Sequence, residues 1–253
     1  MSSWTWAAAS CRGTSHVRNN TRRQDAFTCC VAGTEGDALI AVVSDGAGSA
    51  SKGGEGASVA CRRITSLAKK HFGEATELPS DDTVRDWIFD AREKIFLAAE
   101  KRDIKKREFA STLVLALSTG TDTLVAHIGD GSIVFKPQEA AEWRVASWPS
   151  HGEYASTTFF LTDEPEPQIK FSRLTESISA VALFSDGIEN LALEINEQLP
   201  HQRFFEGIIR PLQASTALGR DSNLSSGLSK FLDSDKVNQR TDDDKTLILA
   251  VRR

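Results

Sequence analysis

Apolar positions in the first hundred residues follow two different periods. Short β-prone runs, separated by polar or glycine-containing stretches, predict strands over residues 4–9, 26–31 and 38–43. Apolar residues then recur at helical spacing between Gly53 and Ala68, and again between Val84 and Ala98. Ser80 is suited to cap the second helix, because its hydroxyl can accept a hydrogen bond from the first turn. This part of the chain is therefore predicted to form strands followed by paired helices.

The rest of the chain repeats this grouping of strand and helix patterns. Strands are predicted over residues 111–117, 123–128, 132–136, 157–161, 180–184 and 246–251, and helices over residues 189–194, 202–212 and 223–232. Gly129-Asp130-Gly131 separates two of these strands and predicts a hairpin. Grouped elements favour an α+β sandwich with helices on its outer faces over a doubly wound parallel sheet. No linker-like stretch divides the chain, so residues 1–253 are expected to form a single domain.

Charge and composition exclude several classes of function. The 253 residues are 40% hydrophobic and 26% charged, and 35 acidic against 30 basic side chains give a net charge of -5. This balance provides no broad cationic surface for a phosphate backbone, so nucleic acid is not an expected partner. The apolar runs are far shorter than the roughly 20 residues of a membrane helix, and the first ten residues lack the pattern of a signal peptide. We therefore expect a cytoplasmic protein with no membrane partner.

Cysteine-based and nucleotide-driven chemistry finds no support in the motifs. Cys11, Cys29, Cys30 and Cys61 show no C-x-x-C spacing, and they are expected to be buried small hydrophobic residues rather than disulfides or zinc ligands. None of them lies in a C-x5-R arrangement that would cradle a phosphate, and there is no G-x-x-x-x-G-K-[ST] loop. The motifs therefore give no indication of a nucleotide-driven kinase or ATPase.

Aspartates at the ends of predicted strands are the candidate chemical groups. Asp45, Asp130 and Asp186 each follow an apolar run and precede a glycine, and a run of acids from Asp242 to Asp244 precedes the last strand. Asp-Gly is favourable turn chemistry, and adjacent acids can form a solvated loop. Carboxylates from distant parts of one chain are equally the natural ligands of hard divalent cations. The acids lack EF-hand spacing, so a calcium loop is not expected.

Short motifs, several of which contain these aspartates, are spread along the chain. They are Gly13-Thr14-Ser15-His16, Gln24-Asp25-Ala26, Ser44-Asp45-Gly46-Ala47-Gly48-Ser49, Ala110-Ser111-Thr112, Gly129-Asp130, Ser185-Asp186-Gly187 and Asp243-Asp244-Lys245-Thr246. In this order they resemble the motifs of the metal-dependent serine/threonine protein phosphatases of type 2C, and most closely their compact bacterial branch. The resemblance extends from about residue 4 to about residue 251. Each motif is weak alone, but their order along the whole chain is specific.

The resemblance implies a four-layer α-β-β-α sandwich with a binuclear Mn2+ or Mg2+ site at one end of two mainly antiparallel sheets. By position, Asp45 would bridge two metal ions and the carbonyl of Gly46 would bind one of them. Asp186 and Asp243 would hold the other ion. Asp243 is chosen over its neighbours because the family's aspartate lies three residues before the Ser or Thr that opens the last strand, here Thr246.

Further catalytic roles are implied for Asp25, Asp130 and His16. Asp25 would orient metal-bound water, and Asp130 matches the position of a third, weaker metal ion. The eukaryotic relatives carry a His after the glycine of the second motif, where this chain has Ala47. His16 is therefore the candidate general acid, although a lone His is also commonly structural.

Two further departures concern charge around the first motif. Gln24 stands where many relatives carry Glu, which removes a negative charge from the metal shell, and Asn20 stands where the wider family has a phosphate-binding Arg. Three arginines lie near this position: Arg18, Arg22 and Arg23. They either bind the substrate phosphate, for which arginine is well suited, or belong to an exposed basic loop. Residues 154–163 resemble the stretch after the family's flap. Two interpretations stay open: these residues border the substrate, or their apolar side chains only pack into the core.

The function implied is hydrolysis of phosphoserine and phosphothreonine in proteins by a metal-activated water, without a covalent nucleophile. The expected partner is a phosphorylated protein, either a serine/threonine kinase or one of its targets, and the chain is expected to be a monomer. Two alternatives stay open: a catalytically silent member that binds a partner, and a metal hydrolase of small phosphoesters. A catalytically silent member is disfavoured, because the candidate metal ligands Asp45, Asp186 and Asp243 are all present.

Overall fold

Two β-sheets form the centre of the protein, and the computed structural model describes residues 3–33, 36–150 and 158–253. The strands are β1 (Trp4–Cys11), β2 (Ala26–Ala32), β3 (Ala38–Ser44), β4 (Leu113–Ser118), β5 (Thr123–Ile128), β6 (Ser132–Pro137), β7 (Arg144–Ser147), β8 (Lys170–Leu174), β9 (Ile178–Phe184), β10 (Leu193–Glu194), β11 (Leu199–Pro200), β12 (Gly219–Arg220) and β13 (Lys245–Arg252). One sheet has the order β2-β3-β4-β5-β8 and the other has the order β12-β1-β13-β9-β6-β7. Apart from the parallel contact between β1 and β12, neighbouring strands in both sheets are antiparallel.

Helices cover the outer face of each sheet, α2 and α3 on one and α5 and α6 on the other. The helices of the described residues are α1 (Thr14–Arg18), α2 (Gly53–Glu74), α3 (Asp81–Glu100), α4 (Glu189–Ala192), α5 (Gln202–Ala214), α6 (Ser222–Leu232) and α7 (Asp235–Asn238). The predicted cap of α3 is confirmed, because the Ser80 hydroxyl accepts a hydrogen bond of 3.1 Å from the backbone N–H of Thr83. No helix in the described ranges is both long and apolar enough to cross a membrane.

Strand β3 shows why the layers stack as they do. All seven of its residues are buried. Ile40 and Val42 pack in the cluster that contains α2 and α3 residues, whereas Leu39, Ala41 and Val43 pack in a second cluster with residues of the opposing sheet. Side chains alternate across a strand, so an unbroken apolar run can fill two cores at once. A third cluster joins the other sheet to α5 and α6. The four-layer α-β-β-α sandwich is thus confirmed.

The predicted hairpin around Asp130 is wrong. Strand β5 pairs with β4 and β8 in one sheet, whereas β6 pairs with β9 and β7 in the other. Gly129 adopts a φ of 98°, and the short loop carries the chain across the sandwich from one sheet to the other. Both strands are buried on two faces, so their apolar pattern does not reveal which sheet each one joins.

Two other predicted elements also differ from the structure. Residue 157 of the predicted strand over 157–161 lies outside the described residues, and residues 158–161 do not form a strand: residue 158 makes an isolated bridge, and the chain turns at 161–162. Leu161 is nevertheless fully buried in the core beside α2 and α3, and Phe159 packs partly against it. The predicted helix over 189–194 ends at Ala192, and the chain continues into β10. All four cysteines are free thiols, and Cys30 is the one that is only partly buried.

Candidate metal centre

The register of the sheets brings the candidate aspartates to one end of the sandwich. Asp45 follows the end of β3, where Ser44 pairs with Ala26 next to Asp25. Asp186 follows β9, whose last residue pairs with Leu247 near the start of β13, and Asp243 precedes β13. Since antiparallel partners begin where their neighbours end, residues far apart in sequence meet at one edge.

A cavity of about 170 Å³ opens between these strand ends. Its lining includes four of the predicted metal-binding aspartates and the predicted glycine: Asp45, Gly46, Asp130, Asp186 and Asp243. Gln24, Thr158 and Phe160 complete much of the wall. Part of the stretch over 154–163, which resembles the segment after the family's flap, therefore borders the cavity, while its residues 154–157 lie outside the described residues.

Asp25 is not among the residues that line this cavity, but it follows Gln24 of the cavity wall and links the two sheets. Its side chain is buried, and Oδ2 accepts hydrogen bonds from the hydroxyls of Ser185 at 2.7 Å and Thr246 at 2.5 Å. The other oxygen, Oδ1, is buried without a hydrogen-bond partner. Burial raises the pKa of Asp25 to about 6. Sequence reasoning missed Ser185 and Thr246 as anchors, because their role depends on the pairing of β9 with β13.

Like charges crowd the cavity. Burial, followed by the charges of Asp25 and Asp186, raises the pKa of Asp45 well above its usual range. Burial and the charges of Asp130, Asp243 and Asp25 raise the pKa of Asp186 to about 8. This part of the protein holds several carboxyl groups that oppose one another's ionisation, and a bound cation would remove that opposition.

Unpaired oxygens make these residues fit divalent cations. Oδ1 of Asp130 and Oδ1 of Asp186 are buried without a hydrogen-bond partner, as is Oδ1 of Asp25. The second oxygen of Asp130 accepts a hydrogen bond of 2.6 Å from Thr158 Oγ1. Within the described ranges, no three acidic, His or Cys side chains are arranged so that they could hold a metal ion by themselves. An open set of carboxylate oxygens matches Mg2+ or Mn2+, which keep several waters when bound.

Gly46 holds its loop directly against the start of α2. A Cβ atom at Gly46 would lie 2.2 Å from the carbonyl carbon of Gly53 and 2.5 Å from the nitrogen of Gly54. Thr112 fixes the preceding residue, because its Oγ1 accepts the Asp45 N–H at 3.0 Å and its own N–H donates to the Asp45 carbonyl at 2.8 Å. The loop that presents Asp45 is therefore held by backbone contacts on both sides.

The acids before β13 have three different environments. Asp242 is exposed and pairs with Arg18 at 2.6 Å. Asp243 lines the cavity. Asp244 is buried, and its carboxylate accepts hydrogen bonds from the backbone N–H groups of Gly13 at 2.6 Å and Gln24 at 2.5 Å and makes a contact of 2.9 Å with His16 Nδ1. Asp244 thus anchors the first motif, a role that its sequence position did not reveal.

His16 and the basic residues of the first motif stand apart from the cavity. His16 contacts Asp244 and is not among the cavity-lining residues, so its role as a general acid stays a prediction. Arg23 donates to the carbonyl of Ser10 at 2.8 Å and to that of Asp25 at 3.1 Å, and Arg18 pairs with Asp242. Neither Arg18 nor Arg23 lines the cavity, and the phosphate-binding role considered for them also stays a prediction.

Comparisons with known proteins agree with this geometry. The protein family described as protein phosphatase 2C matches residues 12–233. Serine/threonine-protein phosphatase 3 of Escherichia coli (strain K12) is 36% identical over 253 residues, which cover 98% of both chains.

Solved structures show the same fold at lower identity. PppA, described as a regulatory component of T6SS in Pseudomonas aeruginosa, superposes with a TM-score of 0.65 at 15% identity and covers 100% of both chains. The catalytic domain of the serine threonine protein phosphatase PstP, solved with 2 manganese ions, gives a TM-score of 0.64 at 16% identity over 100% of this chain and 99% of that one. The family indicated by the motifs is confirmed, and the chain belongs to the protein phosphatase 2C family.

Proposed function

We propose that this protein hydrolyses phosphoserine and phosphothreonine in other proteins with the help of two divalent cations, Mn2+ or Mg2+. The observation that carries the proposal is the cavity at the strand ends, where carboxylates raise one another's pKa and the buried Oδ1 atoms of Asp130 and Asp186 lack a hydrogen-bond partner. Family membership and 36% identity to a serine/threonine-protein phosphatase support the same activity.

The ligands we assign are those lining the cavity. Asp45 and the Gly46 carbonyl would hold one cation, and Asp45, Asp186 and Asp243 would hold the other. Asp130, which is hydrogen-bonded to Thr158 through one oxygen, leaves its second oxygen for a weaker third cation. Bound cations of this kind lower the pKa of water and offset the charge on a phosphate ester.

The chain's own groups would position water and substrate. Asp25 keeps one oxygen bound to Ser185 and Thr246, so its free oxygen has a fixed direction from which to orient a water molecule. Thr158 and Phe160 form a side wall of the cavity against which a phosphorylated residue would lie. Catalysis would then come from positioning and charge, as phosphoryl chemistry generally requires.

Phosphate release from purified protein tests the proposal. With millimolar Mn2+, we expect hydrolysis of phosphothreonine peptides and of p-nitrophenyl phosphate, and with EDTA we expect none. Asp45→Asn should lower kcat by at least about 100-fold, because an amide lacks the charge that a bridging ligand supplies. Asp122→Asn is the matched control, since Asp122 is an exposed carboxylate just before the first residue of β5, whereas the cavity lies beyond the last residue of that strand.

Three results would contradict the proposal. These are a folded Asp45→Asn protein with normal turnover, equal rates with Mn2+ and EDTA, and equal losses in both variants. Hydrolysis of p-nitrophenyl phosphate and mononucleotides, without any of phosphopeptides, would favour the small-phosphoester alternative. Metal binding by calorimetry without turnover on any substrate would favour a silent, partner-binding member.

A further inference from the structure

A second and larger cavity, here called the basic groove, lies beside the cavity lined by Asp45, Asp130, Asp186 and Asp243, which we call the metal-site cavity. It has a volume of about 760 Å³ and runs between the first motif, the first turns of α2 and the end of α3. Gln24 lines both cavities, and Ser51 of the groove lies two residues after Ser49 of the metal-site cavity. A peptide whose phosphorylated residue reaches the aspartates can therefore place a flanking residue in this groove.

The groove concentrates positive charge in a chain that is acidic overall. Arg22, Arg23, Lys52, Arg62 and Arg102 line it, with Glu55 as its acid, whereas the whole chain carries a net charge of -5. A cleft lined mainly by one sign of charge attracts ligands of the opposite sign.

Two of these cations are available to a ligand. Glu55 pairs with Lys52 at 3.3 Å and with Arg102 at 2.5 Å, and Arg23 is bound to backbone carbonyls. Arg22 and Arg62 are exposed, and no described carboxylate lies within ion-pairing distance of either. Arginine side chains in this state are suited to bidentate binding of carboxylates.

We propose that the basic groove binds acidic side chains next to the phosphorylated residue, so that the enzyme prefers phosphoproteins with Asp or Glu around the phosphorylation site. This inference rests on the proposed phosphatase function and adds the substrate class. Arg62 is the residue on which the test depends, because Arg22 belongs to the first motif and is also a candidate for the phosphate itself.

Charge reversal at Arg62 tests the inference. The substrates are phosphothreonine peptides flanked by glutamates, by alanines or by lysines, together with p-nitrophenyl phosphate, which has no flanking residue. The wild-type protein should prefer the glutamate peptide over the lysine peptide. Arg62→Glu should lower kcat/KM for the glutamate peptide about fivefold, mainly through KM, and raise it for the lysine peptide. Hydrolysis of p-nitrophenyl phosphate should change less than twofold.

Three controls separate charge from structure. Arg62→Lys should keep most of the preference. Arg203→Glu reverses an exposed charge on α5, in the opposite helix layer, and should leave the preference unchanged. Raising NaCl to 0.5 M should weaken the preference, because exposed charges are screened.

Several outcomes would overturn the inference: no preference in the wild-type protein, an equal loss on every substrate in Arg62→Glu, or the same change in Arg203→Glu. A protein that hydrolyses none of the substrates would refute the proposed function. The groove would then be judged from fluorescence anisotropy of a labelled, unphosphorylated glutamate-rich peptide. Weaker binding to Arg62→Glu than to the wild type would support an acidic-peptide site, and equal binding would exclude it.

Discussion

At the scale of the residue, the acids before β13 show how neighbouring carboxylates of one type acquire different tasks. Asp244 is 1% exposed and accepts hydrogen bonds from backbone groups of the first motif, whereas the Asp242 side chain is 61% exposed. Asp243 lies between them and borders the metal-site cavity. The three acids lie before β13, with a bend at Asp243, so their side chains enter three different environments and sequence adjacency does not imply a shared role.

Replacing each of these acids by alanine should separate their tasks. Asp244→Ala should cost about 3 kcal/mol of folding free energy, because it leaves the buried N–H groups of Gly13 and Gln24 without their acceptor. Asp242→Ala should change stability by less than about 0.5 kcal/mol. Asp243→Ala should leave the metal-free stability nearly intact but abolish most Mn2+-dependent turnover. Urea unfolding in EDTA and p-nitrophenyl phosphate assays measure these effects, and equal unfolding midpoints for Asp242→Ala and Asp244→Ala would contradict the assignment.

At the scale of the element, the position of the loop that presents Asp45 depends on close packing of Gly46 against the start of α2. A Cβ atom at Gly46 would meet backbone atoms of Gly53 and Gly54, which cannot rotate away as a side chain would. Gly46→Ala should therefore destabilise the protein by about 3 kcal/mol and lower turnover more than tenfold by displacing Asp45. Gly48→Ala is the control in the same loop, because nothing lies within 4 Å of a Cβ there. Chemical unfolding and initial rates on both variants test this prediction, which fails if the two behave alike.

Elements also mark the limit of what the sequence could predict. Strands β3, β9 and β13 were predictable to within a few residues, because each is a long apolar run. The loop around Asp130 has favourable hairpin residues, yet it crosses between the sheets. The residues of this loop suit a hairpin and a crossing between sheets equally well. Only the pairing of β5 with β8 and of β6 with β9 shows that the loop makes a crossing. The short strands β7, β8 and β12 lack a strong apolar pattern and exist because an edge was available for pairing.

At the scale of the whole molecule, the candidate site lies where the two sheets meet. Asp45 and Asp130 follow strands of the sheet that carries α2 and α3, whereas Asp186 and Asp243 adjoin strands of the sheet that carries α5 and α6. The cluster therefore divides its charge between the two halves of the sandwich. The sequence motifs could assign these residues to one family pattern. The structure adds that the same end of the molecule holds the two sheets together, because Asp25 accepts hydrogen bonds from Ser185 and Thr246.

Metal removal should consequently weaken the whole fold, and the effect should depend on pH. The unfolded chain releases its aspartate protons near pH 4, whereas the pKa of Asp25 is about 6 and that of Asp186 is about 8 in the folded, metal-free protein. At these two groups the folded state then binds more protons than the unfolded state, so their contribution to stability in EDTA is fully present below about pH 4 and is lost as the pH rises towards 8. Cations bind the ionised carboxylates and reverse this loss.

The difference in melting temperature between Mn2+ and EDTA should accordingly be larger at pH 7.5 than at pH 5.5. With Mn2+ at about a hundredfold over its Kd, linkage gives about 2.7 kcal/mol of stabilisation, or roughly 5–10 °C for a chain of this length. Asp243→Ala should reduce that difference at both pH values, while Asp242→Ala should preserve it. Hydrogen exchange should show the strongest metal protection around Asp45 and Asp186, and little in α6, which lies in an outer helix layer. Melting temperatures that do not respond to Mn2+ at either pH would exclude a shared cation site between the sheets.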